Sequence, residues 1–184
     1  MGNIQRRCKG TVGGSTVKNV FLIGFMGCGK STVAAFMAQH YNLSVIEMDH
    51  KIEEVEGMSI PDIFEHKGEA HFRDAETRLL QEISIQDSQV ISCGGGVVLR
   101  NENVATMKQG GVVVYLTAKP ETILERVKED NNRPLLRGNK NVSTISEMME
   151  KREEKYKCAA DITVSTDGKT PEQICGEVLL QLER

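Results

Sequence analysis

The stretch that most limits what this chain can fold into is KNVFLIGFMGCGKS (18–31), an apolar run that enters a glycine-rich turn and ends on a lysine and a serine. Gly24, four residues, then Gly29-Lys30-Ser31 fits the phosphate-cradling pattern G-x-x-x-x-G-K-[ST]. The pattern carries its mechanism only where it joins a strand to a helix. KNVFLIG (18–24) is rich in β-branched and aromatic residues and reads as a buried strand. Val33, Phe36, Met37 and His40 recur at helical spacing, so the turn is expected to open a helix over 31–41. There the backbone amides of Gly27, Cys28, Gly29 and Thr32 would converge on a phosphate. Lys30 would reach the β- and γ-phosphates and Ser31 would hold Mg²⁺. A ligand-free structural turn is the bland alternative. Cys28 is read as packing rather than redox chemistry.

Further strands are expected at 43–47, 89–93, 111–116 and 159–164, and helices near 50–56, 59–66, 69–85, 119–129, 144–157 and 171–183. Ser59 is the expected N-cap of the 59–66 helix, with Pro61 in its first turn. Phe72, Ala75, Leu79 and Ile83 form one face of the 69–85 helix. Continuous apolar strands alternating with helices imply an α/β fold with a parallel sheet covered on both faces. Residues 1–17, with glycines at 2, 10, 13 and 14, read as a loose lead-in to a single domain over 18–184. DNNRPLLRGNKN (130–141) is polar, turn-rich and doubly basic, the composition of a mobile loop.

A net charge of −3 excludes a global basic field, so neither nucleic acid nor anionic lipid is an expected partner. No apolar run reaches the length of a membrane span, and Arg6 stands where a myristoylation signal wants Ser or Thr. The five cysteines are odd in number and contain no C-x-x-C pair, which points to a reducing cytoplasm rather than disulfides or zinc. His40, His50, His66 and His71 form no metal-ligand pattern and are read as structural or solvated.

Four further clusters could carry chemistry. In VIEMDHKIE (45–53), Glu47 and Asp49 would share one face if the strand ran through them; charge complementation at a helix start is the alternative. In ISCGGGVVL (91–99), Gly94, Gly95 and Gly96 would let backbone amides approach a ligand, or simply form a flexible turn. In GEAHFRDAE (68–76), Glu76 is spaced to hold the Arg73 guanidinium, unless the two make a surface ion pair. Arg126, Arg133, Arg137 and Arg152 gather around the 130–141 loop, as phosphoryl transfer or a solvated basic face would each allow.

GFMGCGKS, EMD, GEAHFRDAE, GGG, RPLL and the arginine and tyrosine of KREEKY, in this order and at these separations, resemble shikimate kinase from about Asn19 to the C-terminus. The resemblance implies a P-loop NTPase fold of the nucleoside-monophosphate-kinase type, with a five-stranded parallel sheet in order 2-3-1-4-5, a substrate region about 49–80 and a lid about 130–141. It implies transfer of the γ-phosphate of ATP, with Mg²⁺, to the 3-hydroxyl of shikimate on the route to aromatic amino acids, by a protein that is commonly a monomer. Asp49 matches the aspartate that meets the substrate hydroxyls, and Arg73 and Arg152 the pair that grips its carboxylate beside Gly94, Gly95 and Gly96. Arg133 matches the lid arginine over the phosphates, and Arg126 and Pro171 the residues that flank adenine. The family usually carries aspartate where this chain has Glu47, so a water-mediated contact to Mg²⁺ is expected to change. A gluconate kinase and a non-catalytic relative are the rival readings. FR, GGG and RPLL together weigh against the first, and intact Lys30, Ser31, Asp49, Arg73, Arg133 and Arg152 against the second.

Overall fold

A computed structural model describes residues 18–41, 43–128 and 141–182. Five strands, β1 (Asn19–Ile23), β2 (Ser44–Glu47), β3 (Gln89–Ser92), β4 (Gly111–Thr117) and β5 (Ile162–Ser165), form one sheet in the order β2-β3-β1-β4-β5. Every neighbouring pair is parallel. The expected order 2-3-1-4-5 is therefore observed. Among the described residues eight α-helices accompany the strands: α1 (Lys30–Tyr41), α2 (Met48–Glu56), α3 (Ile60–His66), α4 (Gly68–Ile83), α5 (Asn101–Gly110), α6 (Pro120–Val127), α7 (Val142–Ala159) and α8 (Pro171–Leu182). None is long and apolar enough to cross a membrane.

Alternation along the central strands explains why both faces of the sheet are covered. Val20 and Leu22 of β1 and Val114 and Leu116 of β4 join a core with α1, α6 and α8, through Val33, Met37, Ile123, Ile174 and Val178. Phe21, Ile23, Val113 and Tyr115 point the other way, into a core with Met48, Ile52, Ile63, Leu80 and Met107 of α2 to α5 and Tyr156 of α7. With β1 central and its neighbours reached in both directions, the carboxyl ends of the strands open a crevice where the glycine turn leaves β1.

Several boundaries differ from expectation for local reasons. The strand does not run through Glu47 and Asp49: β2 ends at Glu47 and α2 begins at once at Met48, so the two acids straddle a strand–helix junction. α5, preceded by a 3₁₀ turn over Val97–Leu99, has no counterpart among the expected helices. It buries only Asn103 and Met107, and a polar buried residue hides the apolar period. Ala159 closes α7 instead of starting β5. Ser59 does cap α3, its hydroxyl accepting the Asp62 N–H at 3.3 Å. The expected lead-in over 1–17 and nearly all of the expected lid, with Arg133 and Arg137, lie outside the described residues.

Candidate active site

The glycine turn is shaped by three positive-φ glycines, of which Gly24 is the most constrained. Its φ is +142°, and a Cβ there would lie 2.4 Å from the Leu116 carbonyl oxygen of β4 and 2.9 Å from Cys28 Sγ. Only glycine lets β1 turn this close to the neighbouring strand. Cys28 fills the space beneath, buried, which accords with a packing role. Lys30 Nζ donates to the carbonyls of Gly24 (2.9 Å) and Phe25 (3.2 Å), so its ammonium lies over its own loop. Gly27 to Thr32 line a cleft of about 470 Å³ together with Glu47, Asp49, Ser92, Arg126 and Pro171.

At the floor of that cleft Ser31 Oγ donates to Glu47 Oε2 at 3.0 Å and lies 3.5 Å from Ser92 Oγ. Glu47 is the N-cap residue of α2, yet its side chain makes no capping bond, because the carboxylate turns to Ser31 instead. Asp49 occupies the first turn of α2, where the positive end of the helix favours a carboxylate. Ser92, the last residue of β3, joins the site without a signal in the sequence, since a serine at a strand end carries no distinctive pattern. Among the described residues no group of three or more His, Cys, Asp or Glu could hold a metal ion. The oxygen donors at the cleft floor instead fit a hard cation that takes most of its ligands from a nucleotide and water.

At the far wall Arg126 donates to Thr166 Oγ1 at 2.9 Å, to the Thr166 carbonyl at 3.2 Å and to the Gly27 carbonyl at 3.3 Å. It thereby ties α6 and the β5–α8 connection to the phosphate turn. Asp167 holds the other end of α6, accepting the Lys119 N–H at 3.0 Å and the hydroxyls of Thr122 (2.7 Å) and Ser165 (3.1 Å). Thr170 and Gln173 cap α8 reciprocally, the Thr170 N–H to Gln173 Oε1 and the Gln173 N–H to Thr170 Oγ1, which seats Pro171 at the cleft rim.

Partial burial raises the Asp167 carboxyl, but the bonds from Thr122, Lys119 and Ser165 outweigh it and hold the group below its ordinary range. A depressed carboxylate stabilises the fold above its unfolded pKa and loses that contribution as pH falls through the folded value. Asp167→Ala is expected to cost about 1 kcal/mol at pH 7, the scale of hydrogen bonds to a charged group reduced by the solvent screening of a largely exposed carboxylate. Urea unfolding checks this, and the difference from the unsubstituted protein should shrink as pH falls through the folded pKa of Asp167, leaving only what the neutral carboxyl still accepts.

The triple glycine links this cleft to a second cluster. Cβ atoms at Gly94 would meet Glu76 Oε1 at 2.6 Å and Asp49 Oδ1 at 2.8 Å, and one at Gly96 would meet Arg73 Nη1 at 2.2 Å. Side chains from α2 and α4 thus close directly onto the backbone after β3. Arg73 donates to Glu76 at 2.9 Å and to Glu69 at 3.2 Å, and the Arg73–Glu76 pair is buried, not a surface one. Burial pushes the Glu76 carboxyl upward against the pull of Arg73, and the charge on Asp49 adds to the upward push. Arg152 of α7 donates to the Gly95 carbonyl at 3.3 Å, which places it at the same glycine run. Of the residues singled out in the sequence, Gly27 to Thr32, Glu47, Asp49, Arg126 and Pro171 come together in the cleft. Arg73, Gly94 to Gly96 and Arg152 form its neighbour.

The family model described as shikimate kinase matches residues 26–183. A shikimate kinase of Persephonella marina is 44% identical over 163 residues, 89% of this chain and 98% of the relative. One from Sulfurihydrogenibium is 42% identical over 168 residues, 91% and 99% of the two chains. The solved shikimate kinase from Acinetobacter baumannii in complex with shikimate superposes with a TM-score of 0.87 at 33% identity, covering 91% of this chain and 94% of that one. The chain belongs to the shikimate kinase family.

Proposed function

We propose that the chain transfers the γ-phosphoryl group of ATP to the 3-hydroxyl of shikimate, releasing ADP and shikimate 3-phosphate. The observation that carries this reading is the pairing of a phosphate-cradling cleft with a buried arginine. Arg73 is held by two carboxylates beside the triple glycine and within one side chain of Asp49. A substrate carrying a carboxylate and hydroxyls would place the first between Arg73 and Arg152, whose planar forks suit it better than lysine does. Its hydroxyls would meet Asp49. Since phosphoryl transfer is mostly positioning and charge stabilisation, Asp49 acts chiefly by aligning the attacking oxygen and accepting its proton.

Lys30 would swing from its loop carbonyls to the β- and γ-phosphates, while the amides of residues 27–32 hold the β-phosphate. Arg126 and Pro171 would flank the adenine, and Arg133, outside the described residues, would close over the phosphates. Mg²⁺ would be held by Ser31, with Glu47 and Ser92 beside it, and would supply charge neutralisation at the phosphate oxygens. By accepting the Ser31 hydroxyl hydrogen bond, Glu47 would leave the hydroxyl lone pairs free for the cation. The protein is read as a cytoplasmic monomer.

A coupled ADP-release assay with MgATP tests the reading, offering shikimate, gluconate and no acceptor in parallel. Release that depends on shikimate is expected. Release with gluconate instead overturns the substrate, and silence with all three overturns the activity. Glu47 has its own test. Aspartate is one methylene shorter and cannot span the 3.0 Å contact to Ser31 from the same backbone. Glu47→Asp is therefore expected to shift the Mg²⁺ concentration at half-maximal rate by roughly tenfold, the scale of losing a partner that orients a metal ligand. An unchanged Mg²⁺ curve removes Glu47 from the metal site.

A further inference from the structure

Tyr156 is among the largest fully buried side chains, at 1% exposure. It sits on α7 one turn beyond Arg152, and its ring stacks on Tyr115 of β4 with centroids 5.0 Å apart. Packing accounts for the ring. The hydroxyl does something else: it donates to the carbonyl of Gly95, the same oxygen that Arg152 Nη1 reaches at 3.3 Å. A backbone carbonyl has two lone pairs, and here both are occupied by α7.

That oxygen belongs to the peptide between Gly95 and Gly96, which the two arginines approach from different sides. Arg152 meets its carbonyl, while the Arg73 guanidinium lies against the Gly96 Cα so closely that a Cβ would fall 2.5 Å from Cζ. Because the peptide is planar and trans, a donor fixed on the Gly95 carbonyl also fixes the Gly96 N–H pointing away from it.

We infer that Tyr156 is a positioning residue for the substrate carboxylate: it fixes the Gly95–Gly96 peptide and keeps the Gly95 carbonyl bonded when Arg152 turns to the substrate. The inference rests on the shikimate reading above. In this arrangement Arg152 is shared between the protein and the ligand. If Arg152 were the sole donor to Gly95, binding a carboxylate would strip a half-buried carbonyl of its bond, and that loss would weaken the complex. With Tyr156 present the exchange leaves no orphan. Burial pushes the phenol upward, with Arg152 pulling it part of the way back, so the group stays a donor throughout the working pH range.

Tyr156→Phe keeps the ring on Tyr115 and removes only the hydroxyl. The expected result is a five- to tenfold rise in KM for shikimate, with kcat and KM for MgATP within about twofold of the starting values. A second variant separates positioning from mere packing. In an Arg152→Lys background, adding Tyr156→Phe should change KM for shikimate by less than about twofold, because the two residues act as one unit. An unchanged KM in Tyr156→Phe overturns the inference, as does an equal effect in both backgrounds, which would mark a structural role alone. An unsubstituted protein that ignores shikimate overturns the substrate reading and this inference with it. An active one that is indifferent to Tyr156→Phe overturns this inference only.

Discussion

Arg73→Ala is expected to abolish saturable use of shikimate at accessible concentrations and, at the same time, to destabilise the fold by about 3–5 kcal/mol. Both effects come from one geometry. The Arg73 side chain is 11% exposed and that of its partner Glu76 is 1% exposed, so Glu76 is cut off from water and Arg73 is only marginally solvated. Glu69, the other acid on Arg73, is 59% exposed and contributes little beyond orientation. Glu76 Oε1 finds no partner among the described residues, so Arg73 is the main charge that compensates this carboxylate, with Arg100 adding less. Deleting the cation leaves a buried charge beside Asp49.

The sign of the pH dependence follows. Glu76 already has its carboxyl raised by burial, and losing Arg73 raises it further. A carboxyl raised above its unfolded value, about 4.3, destabilises the fold increasingly as pH rises between the two values. The stability deficit of Arg73→Ala should therefore be smaller at pH 5 than at pH 8. Thermal unfolding checks it, with a midpoint drop of roughly 10 °C expected at pH 7 to 8. The pairing of Arg73→Ala with Glu76→Leu separates stability from binding: the double variant regains much of the midpoint and none of the shikimate affinity. A double variant that binds shikimate again would remove Arg73 from the carboxylate site.

The parts of this site that the sequence displays are those built from short-range spacing. The phosphate turn is contiguous, and Arg73 and Glu76 lie three residues apart on a helix that the period of Phe72, Ala75, Leu79 and Ile83 announces. The alternation of apolar strands with helices likewise implies the parallel sheet. What the sequence conceals is of two kinds. The first is a junction without punctuation: no Gly or Pro separates Glu47 from Met48, so nothing local says that the strand stops and a helix starts. The second is pairing across long separations. Ser31 and Ser92 are 61 residues apart, and so are Tyr156 and Gly95. A serine at a strand end and a tyrosine on an amphipathic helix look ordinary until the sheet brings their partners alongside. Asn103 shows the same limit in the core: buried by its bond to the Val97 carbonyl at 3.1 Å, it breaks the apolar period that would have announced α5.

Lys30→Met is expected to lower kcat by about 10²–10³ while leaving the fold nearly intact, the scale seen when one preorganised donor is removed from a developing oxyanion. The asymmetry between the two effects has a structural cause. Nζ donates to the carbonyls of Gly24 and Phe25, bonds that are only partly buried and whose loss costs about 1 kcal/mol. The turn itself is held by other contacts, the Cys28 N–H on the Phe25 carbonyl at 3.2 Å and the Val33 N–H on the Gly29 carbonyl at 3.0 Å. Its amides therefore stay in place, and ADP, which would engage them without a γ-phosphate contact, should bind within about tenfold of the unsubstituted affinity. On the proposed function, the ammonium would count at the transferring group, where charge spreads over the γ-oxygens as the bond to the β-phosphate breaks. Arginine is not a substitute here. Its planar fork needs coplanar acceptors, whereas a compact ammonium can swing between two loop carbonyls and a phosphate oxygen. Lys30→Arg should accordingly recover less than a tenth of the lost rate. Steady-state kinetics with saturating MgATP and shikimate, beside calorimetric titration of ADP, separate the two quantities. A Met variant that keeps more than a tenth of kcat would show that Lys30 serves the loop rather than the reaction.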